Sequence, residues 1–310
     1  MRKYSFISLI LILMVLCLSV GRASGPDPSW VKWVKADLSL SKALNLLNAD
    51  LIDCGKTISL FSQGRISKVE AEKKLKALAE KSSAQFSKIS KLDNSGDQNL
   101  YACGVDLAGQ QLKQIKASRE LLKKDDVERR DILALQGQQG RLVDSQSRFY
   151  RARRNSVKTF LIDAKKLSRK GNLSRGKVVF PNLSLIKYYE LEENILDLQI
   201  EQLKISQILI DNLQKLAKEE KNLNPIDLAK VERLRGRSAA LVVDNELVDL
   251  SKAYAKEMGS FYKTAEAVKL LQQDLSVDSL SRLNRWQVAW QNDSQAASVL
   301  SAALAEKYLP

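Results

Sequence analysis

The clearest chemical pattern in the sequence is a basic tract over residues 141–177. It contains twelve Lys or Arg residues and only two acidic residues, Asp144 and Asp163. Apolar residues recur through it at helical spacing, with Phe149, Val157 and Phe160 among them. A basic amphipathic helix is typical of a protein that docks on an anionic surface. We therefore predict an anionic-surface site formed by Arg148, Arg151, Arg153, Arg154, Lys158, Lys165, Lys166, Arg169 and Lys170.

Three kinds of anionic partner suit this charge: phospholipid head groups, an acidic polymer of the cell envelope, and an acidic protein. Nucleic acid also suits the charge, but it does not suit the compartment that the N-terminus indicates, so no nucleic-acid partner is predicted. The alternative is a solvated basic face with no partner. The whole chain carries a formal charge of +14, so the tract accounts for much of the excess.

Two cysteines, Cys54 and Cys103, follow the N-terminal segment. In an exported protein a lone pair of cysteines usually forms a disulfide, and we predict that bond; two buried free thiols are the alternative. A chain reversal at Gln63-Gly64 would place the cysteines about 12 Å and about 30 Å from the turn. A bond needs Cα atoms within about 7 Å, so the disulfide requires a sharper reversal near Ser82-Ser83.

Histidine is absent from the sequence, which excludes Ser-His-Asp catalysis, Cys-His catalysis and histidine metal sites. No glycine-rich phosphate-binding motif occurs. Adjacent carboxylates, such as Glu192-Glu193 and Glu219-Glu220, diverge around a helix and are expected on solvated faces. We therefore predict a protein that is not an enzyme and has no metal or cofactor. An acid-only glycosidase is the least favoured alternative.

The N-terminus has the three-part pattern of a secretory signal. A basic start precedes an apolar run over residues 7–20, and the small residues Gly21 and Ala23 occupy the −3 and −1 positions of a cleavage site before Ser24. We predict a signal peptide over residues 1–23 and export to the periplasm or the medium, with a bacterial envelope favoured; an uncleaved N-terminal anchor is the alternative. Residues 24–310 are predicted to form one domain, with a possible subdivision at 171–183.

Proline placement predicts long helices. Proline occurs only at positions 26, 28, 181, 225 and 310. Proline disrupts helix interiors at a cost of about 3 kcal/mol, so long proline-free tracts favour helix. Apolar residues also recur in alternating steps of four and three, a heptad seam, at 40–61 and at 191–216. The predicted fold is all-α, an elongated antiparallel, coiled-coil-like bundle of five to seven long helices.

Capping residues predict the helix boundaries. The first helix is expected over 29–62, followed by a turn at Gln63-Gly64-Arg65. A capping box of Ser67 and Glu70 opens the second helix. Further helices are expected within 98–170, with a break near 125–126 or near 137–140, and over 184–222, 225–275 and 278–308.

Two residues on the second seam are polar, Gln202 and Asn212. They either fix the register against a neighbouring helix or face water. The favoured function is a non-enzymatic exported scaffold or adaptor, which uses its seams for a protein partner or for self-association and its basic helix for an anionic surface. The alternative is a soluble helical carrier of an apolar or lipid ligand, which an internal cavity would favour.

Overall fold

A computed structural model describes residues 29–92, 97–126, 128–170, 181–241 and 243–309. The predicted signal peptide and most of the 171–183 linker lie outside the described residues. Within them the chain forms α1 (Ser29–Ser62), α2 (Lys68–Ile89), α3 (Gln98–Lys123), α4 (Arg129–Lys170), α5 (Leu183–Ala217), α6 (Leu228–Ala239), a 3-10 turn (Asn245–Leu247), α7 (Val248–Gln273) and α8 (Val277–Lys307).

The all-α prediction is confirmed, and no described residue is in a strand. Successive long helices pack against one another, and α8 returns to pack against α1. The α1–α8 pair is antiparallel, because Lys42 near the start of α1 pairs with Glu306 near the end of α8, while Ser59 bonds Asn284. The helices therefore close a ring.

The predicted boundaries of the first two helices are confirmed. The Ser67 hydroxyl accepts a hydrogen bond from the Glu70 amide at 3.2 Å, and the Glu70 carboxylate accepts one from the Ser67 amide at 2.9 Å. Gly64 has φ 67°, a left-handed conformation that glycine adopts without strain, in the predicted turn. The sharper reversal near Ser82-Ser83 is wrong, since α2 runs through both residues.

The predicted break near 125–126 is confirmed, the 225–275 boundary differs from the prediction, and the bundle has eight α-helices in its described part. The 98–170 tract breaks at 124–128 and stays helical through Gly137 and Gly140. The 225–275 tract divides into α6 and α7. Asn224 does not cap a helix. Its backbone N–H donates to the Asn212 side chain at 2.7 Å, and its backbone carbonyl accepts from that side chain at 2.9 Å. Asp227 caps α6 instead.

The disulfide prediction is wrong: Cys54 and Cys103 are free thiols. Cys54 packs among Ala71, Leu75 and Ile115 near the α1–α2 turn, and its thiol is hydrogen-bonded to Ser118. Ser118 lies fifteen residues beyond Cys103 on α3, which is about 22 Å along a helix. The confirmed turn therefore holds the two cysteines at different heights, as the distance argument required. Burial raises the pKa of Cys54 to about 11.

The heptad seams are buried inside this chain's own bundle. Leu40, Leu44 and Leu47 of α1 and Ile195, Leu198 and Leu209 of α5 are all core residues. Self-association or partner binding through the seams stays a prediction. Among the described helices, none is both long enough and apolar enough to cross a bilayer.

Ring closure leaves space at the bundle centre. The helices α1, α4, α5, α7 and α8 surround a common axis, with α3 bridging α1 and α4. Five helices at the usual spacing of about 9.5 Å place their axes about 8 Å from that centre. A helix with its side chains has an average radius of only about 5–6 Å. A gap therefore remains at the centre unless long side chains extend into it.

The close approach of α3 to α1 generates the first testable prediction. A Cβ added to Gly104 would lie 2.8 Å from Cδ2 of the buried Leu40. We expect Gly104→Ala to lower the free energy of unfolding by about 1–2 kcal/mol through overpacking. Gly259 in α7 has no atom within 4 Å of such a Cβ, so Gly259→Ala should raise it by about 0.5–1 kcal/mol. Urea unfolding measures both, and equal effects at the two sites would contradict this packing.

Candidate functional site

An ion network joins three helices in the interior. The Arg153 guanidinium on α4 donates Nε–H and Nη2–H to the two carboxylate oxygens of Asp37 on α1, at 2.9 and 3.1 Å. Its Nη1–H donates to Glu192 on α5 at 2.9 Å. The exposed fractions of these side chains are 11% for Arg153, 2% for Asp37 and 1% for Glu192. The bidentate geometry fixes all three helices relative to one another.

Hydroxyl groups complete the network. Tyr189 donates to Asp37 at 3.2 Å, and Ser301 on α8 donates to the free oxygen of Glu192 at 2.5 Å. The Tyr188 hydroxyl lies 2.8 Å from that of Ser301. Four helices therefore contribute to one hydrogen-bonded group, and both carboxylates accept bonds beyond those from Arg153.

The ion pairs of Arg153 with Asp37 and Glu192 offset the cost of burying these charged side chains. Burial alone would lower the pKa of Arg153, but the carboxylates of Asp37 and Glu192 hold it well above its ordinary value. The Arg153 guanidinium therefore lies between two buried carboxyl groups in a region of low dielectric constant. Trp33 stacks on Phe160 at 4.9 Å between ring centroids beside this group, which limits the access of water.

A polar cavity of about 90 Å³ lies next to the network. Asp37, Arg153 and Tyr188 line one side of it, and Gln111 and Ser41 line another. The cavity therefore offers charged and hydrogen-bonding groups within a mainly apolar bundle.

An apolar cavity of about 170 Å³ lies further along the bundle. The two cavities share five lining residues, Asn48, Gln146, Tyr150, Gln199 and Ser294. Ten of the 23 residues that line the apolar cavity are aliphatic, including Leu203, Leu209 and Val268 from α5 and α7, and most of the others carry amide or hydroxyl groups. Its volume is close to that of an engineered cavity that takes up one benzene molecule.

One acidic residue, Glu257 on α7, lines the apolar cavity. It is 2% exposed. Its Oε1 accepts a long hydrogen bond from the Gln202 side-chain amide at 3.5 Å, and its Oε2 has no hydrogen-bond partner among the described residues. Burial raises the pKa of Glu257 to about 7, against a partial offset from the neighbouring Gln202, Ser294 and Trp290 side chains.

Within the described ranges, four buried polar atoms without a hydrogen-bond partner line the two cavities. Ser41 Oγ and Gln111 Oε1 line the polar cavity, while Glu257 Oε2 and Trp290 Nε1 line the apolar one. Native interiors leave few such atoms, and each one that persists calls for a partner outside the protein, such as water or a ligand.

The predicted basic residues do not form a single free surface. Arg153 is interior, and its role is the network described above. Four others pair with carboxylates: Arg148 with Asp106 at 2.7 Å, Arg154 with Asp197 at 2.5 Å, Lys165 with Glu190 at 2.7 Å and Lys166 with Asp163 at 3.7 Å. Arg151 and Lys158 are exposed and make no ion pair with any described residue. The side chains of Arg169 and Lys170 lie outside the described part.

Sequence reasoning missed Asp37 and Glu257 and wrongly expected Glu192 on a solvated face. All three are buried, and Asp37 lies one step of three residues before Leu40, in line with the first seam. Gln202 and Asn212 are buried, so the alternative that they face water is wrong, and the fixing of register stays a prediction. A polar or charged residue in line with a seam, as at Asp37 and Gln202, was the signal that pointed to the network and to the apolar cavity.

Comparison with known proteins gives no match: no family model, no curated protein and no solved structure shows significant similarity to this chain. Within the described residues, no group of three or more Cys, Asp or Glu side chains is arranged to hold a metal ion. Function must therefore be argued from the cavities and the surface.

The network generates the second prediction. Arg153→Met leaves Asp37 and Glu192 buried without a cation, and we expect the free energy of unfolding to fall by about 3–5 kcal/mol. Arg151→Met, two residues away on the exposed face, should change it by less than about 0.5 kcal/mol. Denaturant unfolding of both variants tests this, and a small loss for Arg153→Met would show that the network does not hold the helices.

Proposed function

We propose that this protein is a non-enzymatic helical carrier that binds a small apolar molecule at the bundle centre. The single observation that carries this proposal is the apolar cavity of about 170 Å³ next to unpartnered buried polar atoms. The N-terminal pattern of residues 1–23 supports export, and we propose that binding takes place in the periplasm or the medium.

The energetic cost of the cavity supports a role for it. Protein interiors are close-packed, so the side chains around a space of this size make fewer van der Waals contacts than a filled core would give them. A single Leu in place of Ser206, which lines the cavity and is buried, would fill part of it. The native sequence keeps the smaller residue.

The lining favours binding over catalysis. Around the apolar cavity the ionisable side chains are Glu257 and Tyr150, beside amides, hydroxyls and aliphatic groups. Burial raises the pKa of Tyr150 far above neutrality, so its phenol stays protonated. Such a lining selects a ligand by shape and by one or two polar contacts, as ligand pockets do.

The third prediction tests the cavity with toluene, a probe of one aromatic ring. At a toluene concentration ten times its Kd, the free energy of unfolding should rise by about 1.4 kcal/mol. We expect Ser206→Leu to fold normally and to lose this gain, because its side chain occupies the probe's place. Thermal unfolding with and without toluene measures both effects.

The control is Ser87→Leu, which adds the same side chain at an exposed position of α2. It should leave the response to toluene intact. An equal response in wild type and Ser206→Leu, or no response in wild type, would contradict the proposal.

A second candidate function, docking on an anionic membrane surface, is supported by a basic stripe on α4. Arg151, Lys158 and Lys165 lie seven residues apart in turn and are all exposed, although Lys165 also pairs with Glu190. Ile162 lies between the last two and is 46% exposed. An apolar side chain among lysines suits an interface of head groups and acyl chains. An envelope polymer or an acidic protein would recognise the same charges.

The fourth prediction tests whether liposome binding depends on this basic stripe or only on the net charge of the protein. Arg151→Glu/Lys158→Glu should weaken co-sedimentation with anionic liposomes at low salt by at least about 30-fold, at about 1 kcal/mol per basic residue. Lys73→Glu/Lys76→Glu, with the same change in net charge on exposed positions of α2, should weaken it much less. Equal losses in both variants, or no binding by wild type, would rule out a docking stripe. Arg153 and Arg154 are left intact because both are ion-paired in the fold.

A further inference from the structure

Glu257 differs from the other buried acids in having no cation. Asp37 and Glu192 share Arg153, and the buried Asp50 accepts bonds from Lys81 at 2.6 Å and Ser82 at 3.0 Å. Glu257 makes no ion pair with any residue of the described ranges, and the hydrogen-bonding groups around its carboxyl are the neutral side chains of Gln202, Ser294 and Trp290. A buried carboxylate in this position lacks the partner that such groups require.

The surrounding elements supply no positive charge to it. The α8 side chains that neighbour Glu257 are Ser294, Trp290 and the acidic Asp293. The charge of Asp293 is already met by Lys256 at 2.9 Å and Ser260 at 2.6 Å. The α4 contribution to the cavity wall includes Tyr150, the α5 contribution Gln202, and the α1 contribution Asn48, none of which carries charge at neutral pH.

We infer that Glu257 is the recognition group of the apolar cavity and that the ligand is a small apolar molecule bearing one ammonium group, which donates to Oε2. This inference rests on the proposed carrier function and names its ligand class. The aliphatic wall accommodates the apolar body, and the volume of about 170 Å³ limits that body to about one ring. The indole ring of Trp290 lines the same cavity, and an indole face attracts cations.

Binding of an ammonium ion requires the ionised form of Glu257. In the free protein, burial raises the pKa of Glu257 to about 7, so the carboxyl is mostly protonated at pH 6 and mostly ionised at pH 8. An ammonium ion that binds at pH 6 therefore displaces a proton from Glu257 to the buffer. At pH 8 the proton is already absent, and the affinity is higher.

The test is calorimetric titration of wild-type protein with three probes of similar size: benzylamine, benzyl alcohol and toluene. An alkylammonium ion stays protonated at both pH values. We expect benzylamine to bind at pH 8 at least about tenfold more tightly than the other two, the effect of one charge-assisted hydrogen bond. At pH 6 its affinity should fall about tenfold, with release of nearly one proton, as measured in buffers of different ionisation enthalpy.

Two variants complete the design. Glu257→Gln should bring benzylamine to the affinity of toluene and abolish proton release, while toluene binding persists. Glu266→Gln, which removes a half-exposed carboxylate from the same helix, should change nothing. The wild-type comparison of probes and pH values stands alone if Glu257→Gln fails to fold.

The possible results distinguish the ammonium ligand from the apolar carrier function on which it rests. If toluene and benzylamine bind equally, or if Glu257→Gln leaves benzylamine unchanged, the ammonium ligand is ruled out and the apolar carrier stands. If benzyl alcohol equals benzylamine, the site recognises a neutral donor, and the inference is overturned. If no probe binds at either pH, the carrier function fails, and the inference falls with it.

Discussion

Arg153 carries its charge into a region from which water is largely excluded, and carboxylates from two other helices hold it there. The geometry is demanding, because one guanidinium must meet Asp37 on α1 and Glu192 on α5 at the same time. Removal of Arg153 leaves two buried carboxylates without a cation, which is far more costly than a lost surface pair. The network therefore fixes how α1, α4 and α5 face one another, and Ser301 adds α8 to the same arrangement.

Once those helices are fixed around a common centre, the cavities follow from geometry. Five helices around one axis leave more room than their side chains fill where the facing residues are small or polar. On α5 the polar residues that line the cavities are Gln199, Gln202 and Ser206, a polar row within an otherwise aliphatic face. Leucine at those positions would pack the core more fully, so the row lowers stability in exchange for space lined with hydrogen-bonding groups.

Much of the fold could be predicted from the sequence because its determinants are local. The capping box at Ser67 and the turn at Gly64 act within a few residues, and both lie where the pattern placed them. The disulfide and the solvated Glu192 were wrong for the opposite reason. Whether Cys54 meets Cys103, or Glu192 meets Arg153, depends on the axial alignment of helices far apart in sequence, and the heptad pattern leaves that alignment open. A charged seam residue shows that a partner exists but not which one.

The proposed function requires an accessible apolar cavity beside Glu257, and a crystal structure under xenon pressure would detect it. Xenon binds apolar cavities and needs no polar partner, so its density reports the space independently of any ligand chemistry. We expect a xenon atom among Leu203, Leu209 and Val268, within the wall to which Glu257 and Trp290 also contribute. Side chains collapsed into this space, with no xenon density between α5 and α7, would show that the bundle keeps no such cavity.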